Sequence, residues 1–327
     1  MTTLPGISPW RLRIRRETDG IAILQAKTYV QQAVLPDTLF GQPVIRLGNR
    51  AISAHDWEAD GESVTLACGS VPSDAKWDNR ALCSLVLPDT LTEVGDYALQ
   101  GCSSLTSIEL HDRPIRWGAC ILLGCGALRQ ILLKRDHPED CGCMAYFAGE
   151  LSSELEITVS GPDGPSFRLL FPEYSETEEE FFTDHLDFHY HLSGAGYQYH
   201  HAFVNHRLNF YHYDRNWKSF LGMDYSLPSA ARIAYNRLRW PVQLSERSQA
   251  LYSQYLKAHA SDALTQILLE KDTAGLQFLL HEAPPERSAI TAACELAREE
   301  NATALLALLL EDLHRRSDCV ETNHFPL

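Results

Sequence analysis

Seven of the fourteen histidines fall in one stretch, at His185, His189, His191, His200, His201, His206 and His212, with Phe and Tyr interleaved among them. Imidazole is the commonest side-chain ligand for a transition metal, and a carboxylate on its second nitrogen can hold the ring in place. Asp184, Asp187 and Asp214 are available for that role, and His189, His191, His200 and His201 are the candidate ligands. The stretch has no HExxH, no HxH with a distant partner set and no glycine-flanked nucleophile, so it matches no named catalytic geometry. The plainer reading is that these rings pack as amphipathic contacts joining two domains, with their polar tips in water.

Two other patterns could do chemistry. Cys141-Gly142-Cys143 has the CxC form that binds metal, but no second pair follows at usable spacing, which leaves surface thiols in a loop. Ser193-Gly194-Ala195-Gly196 could pass for a phosphate loop, yet it lacks the lysine and the preceding strand, and reads as a flexible turn. The sequence thus assigns no catalytic residue and requires no cofactor.

What must position these residues is a repeat. Leu82, Leu105 and Leu128 recur at one fixed offset, as do Leu85, Ile108 and Ile131, and Leu87, Leu110 and Leu133. Gly95 with Gly118, Gly101 with Gly124, and Cys102 with Cys125 keep the same offset. Repetition on this scale is the signature of a solenoid. Within each copy LxxIxL alternates, so it predicts a short strand with one buried face. The stretch from Pro88 to Gly101 is too rich in Pro and Gly to be one helix and must turn back, closing a coil. Stacked coils pair their strands in parallel and bury the leucine columns between neighbours.

Upstream, Leu35-Pro36-Asp37-Thr38-Leu39 anticipates Leu87-Pro88-Asp89-Thr90-Leu91, and Leu47-Gly48 with Ala51 anticipates Val94-Gly95 with Ala98. These two offsets differ from the ladder and from each other, which predicts an insertion between Ala54 and Asn79 carrying a strand at Ser63–Leu66. Trp10–Arg15 and Gly20–Leu24 alternate on either side of Asp19-Gly20, the pattern of a β-hairpin, here expected to cap the first coil. Leu155–Val159 alternates as one more strand.

The unit LPDxxxxIGxxAFxGCxxLxxIxL of the BspA-like leucine-rich repeat family resembles this chain from about residue 30 to 135. Leu87-Pro88-Asp89, Val94-Gly95, Ala98-Leu99, Gly101-Cys102, Leu105, Ile108 and Leu110 carry the resemblance, and Gly118, Gly124-Cys125, Leu128 and Ile131 carry it again. The chain departs at His111-Asp112-Arg113-Pro114 and at Leu99 and Leu122, which replace the aromatic column. The resemblance implies a protein-binding or adhesive solenoid. The whole arrangement also resembles uncharacterised cytoplasmic leucine-rich repeat proteins of anaerobic Firmicutes, which implies no chemistry.

After Ser226-Leu227-Pro228 the composition turns to helix formers. Helices are expected over Ser229–Trp240, Ser245–His259, Ala263–Glu270 with Ser261 or Asp262 as cap, Thr273–His281, Ser288–Glu299 and Ala302–Arg316. Leu279-Leu280 and Leu309-Leu310 recur at one spacing, similar to the paired helices of ankyrin repeats but without the TPLH turn. The expected fold is therefore an α+β repeat protein, a short leucine-rich repeat solenoid with parallel strands followed by an all-α ankyrin-like helical-hairpin domain. Its expected parts are 1–150 as the repeat domain with its hairpin cap, 151–225 as a strand plus His/aromatic connecting segment, 226–316 as the helical repeats, and 317–327 as a tail.

The net charge is −15, from 28 Lys and Arg against 43 Asp and Glu, which opposes the attraction that drives binding to nucleic acids and anionic membranes. No apolar run suits a secretory signal or a membrane span, and the nine cysteines form no compact framework, so the protein is expected in the cytoplasm. On the outward side of the repeat strands the alternation places Ser84, Val86, Ser107, Glu109, Gln130 and Leu132. Apolar Val86 and Leu132 beside polar neighbours are what a contact patch looks like. The expected function is a non-enzymatic scaffold that binds a protein partner of unknown identity through this face, unless the C-terminal domain covers it. The alternative is a metal-binding protein or metal-dependent enzyme using His185–His212.

Overall fold

The computed structural model describes residues 8–55, 57–66, 71–137, 140–182 and 186–321, and within these it describes the side chains of all but 165, 177–182, 186–191 and 317–321. It divides into two compact units, Met1–Tyr213 and Asp214–Leu327.

The first unit opens with the expected hairpin, β1 (Trp10–Arg16) antiparallel to β2 (Ile21–Lys27). Then come β3 (Gln32–Val34), β4 (Thr38–Leu39), β5 (Gln42–Leu47), β6 (Glu62–Leu66), β7 (Ser84–Val86), β8 (Glu93–Val94), β9 (Ser107–His111), β10 (Arg116–Trp117) and β11 (Gln130–Lys134). A helix, α1 (Cys143–Glu150), separates these from β12 (Leu155–Gly161) and β13 (Gly164–Phe171).

The strands fall into two sheets, and the coils that begin with β3, β7 and β9 contribute to both, whereas β11, β12 and β13 belong to one. One sheet runs β13-β12-β11-β9-β7-β3, and the other runs β10-β8-β5-β2-β1-β6, with β4 paired to β5. In the first, Ala33, Leu85, Ile108, Ile131 and Ile157 meet on successive parallel strands, and Leu169 completes the row on antiparallel β13. All six are buried. Burying an aliphatic side chain of this size contributes roughly 1.5–3 kcal/mol, and a strand this short can do so only against its neighbours. In the second sheet Leu47, Val94 and Trp117 stand in one row.

The insertion folds as a strand and an anchor. β6 joins β1 antiparallel, and Asn79, 1% exposed, ties the insertion down. Its Oδ1 accepts from Thr28 N at 2.8 Å while Nδ2 donates to Ala26 O at 2.8 Å and Ile52 O at 2.7 Å.

Of the two cysteines expected as surface thiols in a loop, only Cys141 lies in one. Cys143 begins α1 and is buried, its thiol 3.3 Å from Arg113 O, because the helix must bury Met144 and Phe147 on the same side. Cys141 is half-buried, with Sγ 3.8 Å from His137 Nε2.

Beyond β13 the unit continues with an antiparallel pair, β14 (Ser175–Phe182) and β15 (Leu186–Ser193), then α2 (Tyr197–His200), a small hairpin of β16 (Phe203–Val204) and β17 (Arg207–Leu208), and α3 (Phe210–Arg215), within which the unit boundary falls. The second unit holds α4 (Trp217–Phe220), α5 (Leu227–Arg239), α6 (Glu246–Ala258), α7 (Ala260–Leu269), α8 (Thr273–Glu282), α9 (Arg287–Glu299) and α10 (Thr303–Glu321). α5 packs on α6, α7 on α8 and α9 on α10, and α5, α7 and α9 pack in succession. Ser226, Ser245 and Asp272 cap α5, α6 and α8 through their side chains. α7 starts earlier than expected. Ser261 and Asp262 lie inside its first turn, and its N-cap, His259, makes no side-chain cap bond. Among the described residues no helix is long and apolar enough to cross a membrane.

Candidate functional site

The six residues expected on the outward face come together as two rows. Ser84 pairs with Ser107 and Ser107 with Gln130; Val86 pairs with Glu109 and Glu109 with Leu132. Neighbouring strands stand about 4.8 Å apart, so each row is a continuous line of side chains. Gln130 is exposed and the other five are half-buried. Both rows run further than the repeat suggests, because Gln32 and Glu156 extend the first and Val34 and Thr158 the second. The signal for Gln32 and Val34 was the offset between Leu35-Pro36 and Leu87-Pro88, whereas Glu156 and Thr158 follow no repeated motif.

Charge is arranged at one end of the face. The Lys134 ammonium is ion-paired with Glu109, and that bond holds the lysine above its ordinary pKa, with Asp89 and Asp37 adding to it. His111 Nε2 lies 3.2 Å from Asp89 Oδ2, and Asp89 N donates to Asp37 Oδ1 at 2.6 Å. At the other end Glu156 is buried, with Arg168 Nη1 at 3.4 Å from its Oε1. Hydroxyl and amide groups thus make up the first row from Gln32 to Gln130 before it ends on buried Glu156, while the other sets two aliphatic side chains on either side of a paired carboxylate. Such a surface can hold a partner by hydrogen bonds and apolar contact.

The histidines disperse. His200 is buried with both ring nitrogens on carbonyl oxygens, Nδ1 2.8 Å from Ala148 O and Nε2 2.9 Å from Pro172 O, so neither is free to ligate. His201 stacks on Tyr197 with Nδ1 2.8 Å from Tyr197 O. His206 sits in the β16–β17 turn at positive φ, and Asp214 belongs to an ion pair with Arg237. His189 and His191 lie in β15, but their side chains are not among those described, and Asp184 and His185 lie outside the described residues. Among the described residues no three His, Cys, Asp or Glu side chains are grouped to hold a metal ion. The aromatic rings form a core instead, with Tyr213 set edge-on against Tyr199 at 4.7 Å and against Phe171 at 5.9 Å.

The first unit is a leucine-rich-repeat-like solenoid. A solved leucine-rich repeat protein of T. pallidum is similar to part of the chain, at 17% identity and a TM-score of 0.26, covering 43% of this chain and 57% of that one. The chain therefore spans little more than half the length of that structure. No family model matches the chain, and no curated protein does. The fold assignment rests on the strand registers given above.

Proposed function

We propose that the protein is a non-enzymatic interaction scaffold of the BspA-like kind, binding a protein partner in the cytoplasm through the outward rows of its repeat strands. Solenoids of this sort generally present an extended strand surface to other proteins. One observation carries the reading: Val86 and Leu132 stand in register on either side of Glu109, itself tied to Lys134, on strands whose other faces are buried throughout. Half-exposed aliphatic groups beside an oriented charge supply both the contact area and the specificity that a protein interface needs.

The test is affinity capture from the host with the intact protein beside its Val86→Glu and Leu132→Glu variants. Placing a carboxylate at either position should reduce recovery of the specific partner by about tenfold or more, the cost of burying an unpaired charge in an interface. Melting temperatures should stay close to that of the parent, since both side chains point away from the core. Equal recovery of every captured protein by the parent and both variants would sink the proposal.

A further inference from the structure

A second surface lies on the other sheet, away from these rows. β2, β1 and β6 are neighbours, and their outward residues form a floor in which Lys27, Arg11 and Thr65 make one row and Gln25, Arg13 and Ser63 the next. Trp57 and Trp77 stand beside this floor, and together they enclose an open groove of about 520 Å³. That is the size of a small-ligand or short-peptide site. Glu58 is the acidic residue among those lining it.

The groove is held in shape. Gln25 Nε2 donates to Trp57 O, and the Trp57 indole N–H donates to Arg50 O at 2.9 Å. The Arg11 guanidinium lies 4.5 Å from the centre of the Trp77 ring, whose edge meets Tyr29 at 4.8 Å. Arg11 thus rests over an aromatic ring while its side chain stays exposed. Lys27 Nζ donates to Ser53 O at 2.7 Å and His55 O at 3.1 Å. Among the described residues neither Arg11 nor Arg13 has a carboxylate partner. In a chain carrying 43 acidic residues and a net charge of −15, two such guanidiniums together are a local reversal of sign.

We propose that this groove binds an extended acidic peptide segment of a partner protein through two of its carboxylates. Arg11 and Arg13 are two residues apart on one face of a strand, about 6.6–6.8 Å along it, which is also the spacing of alternate side chains on an extended peptide. Guanidinium is planar and meets a carboxylate with two parallel hydrogen bonds, so an Arg pair at this spacing selects for paired carboxylates and not merely for negative charge. The exposed hydroxyls of Ser63 and Thr65, opposite Arg13 and Arg11, offer neutral hydrogen bonds beside the two charges. A nucleic acid fits less well, because one face of Trp77 is already covered by Arg11, and a long polyanion meets the repulsion of the whole chain.

The experiment titrates the full-length protein into a fluorescently labelled peptide in which glutamate alternates with threonine, followed by anisotropy. A lysine-for-glutamate peptide, a single-stranded oligonucleotide and inorganic phosphate serve as comparisons. Saturable binding of the glutamate peptide is expected, weakened about tenfold or more by Arg13→Ala and by added salt. Arg13→Glu should abolish it and confer binding of the lysine peptide, with an unchanged melting temperature showing that the fold survives. No binding of the glutamate peptide, binding unaffected by Arg11→Ala and Arg13→Ala, or tighter binding of the oligonucleotide or of phosphate would each overturn the proposal.

Discussion

His200 is enclosed between α1 and the end of β13, its ring edge-on to Phe171 at 5.7 Å and to Tyr174 at 5.0 Å. Burial lowers its pKa below the ordinary value of 6.5, against the pull of the Ala148 and Pro172 carbonyls, which favour the protonated ring. Below pH 6.5 the unfolded chain binds a proton that the native chain refuses, so stability is complete above that value and declines as pH falls beneath it, levelling off once the native ring also titrates. Urea midpoints measured from about pH 8 down to about pH 5 should show this decline, and His200→Gln should flatten it. An unchanged slope in the variant would remove His200 as its source. The repeated cysteines behave differently. Cys102 is pushed up to about 12 by burial, with Cys125 adding, and Cys125 is pushed up to about 11 by burial. They are packed thiols whose Sγ atoms reach Ile52 O at 3.4 Å and Leu99 O at 3.2 Å across neighbouring coils. Their place in the repeat was legible because each coil uses the position alike. The dispersal of the histidines was not, because nearness in sequence says nothing about which carbonyl each ring will meet.

At the scale of the element, the glycine column sets how closely coils can stack. A Cβ on Gly118 would lie 2.5 Å from Asp96 N and 2.6 Å from Gly95 C, and one on Gly95 would lie 2.6 Å from Asn49 N. These neighbours are backbone and cannot swing aside, so Gly118→Ala should force β10 away from β8 at a cost of about 1–3 kcal/mol. Gly126 has open space around it and serves as the control, with Gly126→Ala expected within about 0.5 kcal/mol of the parent. Equal urea midpoints for the two variants would show that the coils have slack at this contact. The column belongs to a pattern read directly from spacing. Offsets in the sequence reappear as pairing registers: Leu35-Pro36 with Leu87-Pro88 foretells β3 beside β7, Gln32 to Ser84, and Leu47 with Val94 foretells β5 beside β8. β11 to β12 escapes this reading, since Gln130 meets Glu156 only because α1 lengthens the connection. Asn79 escapes it too. Its three backbone partners come from β2, the residue after it, and Ile52, a combination created by the insertion and present in no other copy.

At the scale of the whole molecule, the chain uses two kinds of repeat that are stabilised by different means. In the solenoid, aliphatic columns and backbone ladders join coil to coil. In the helical unit the repeat is carried by turns as well as leucines, for Lys271 and Asn301 both adopt positive φ, and their amides bond to Leu268 O at 3.0 Å and Arg298 O at 3.1 Å at equivalent places before α8 and α10. Its buried polar centre is Asp214. The Arg237 guanidinium meets it through Nε at 2.7 Å and Nη2 at 2.9 Å, Tyr252 OH donates to it at 3.0 Å, and Arg237 Nη2 also reaches Val242 O at 3.0 Å. Removing one member of such a pair strands a buried charge, at a cost of about 3–5 kcal/mol. In repeat architectures each element leans mainly on its neighbours, so the loss should stay where these partners lie. Hydrogen exchange on Asp214→Ala should therefore show faster exchange in α5 and α6, which carry Arg237 and Tyr252, while the amides of β9 and β11 keep their parental protection. Protection lost equally from β9 and β11 would mean that the two repeat systems unfold as one cooperative body, and that the strand face draws part of its rigidity from the helices.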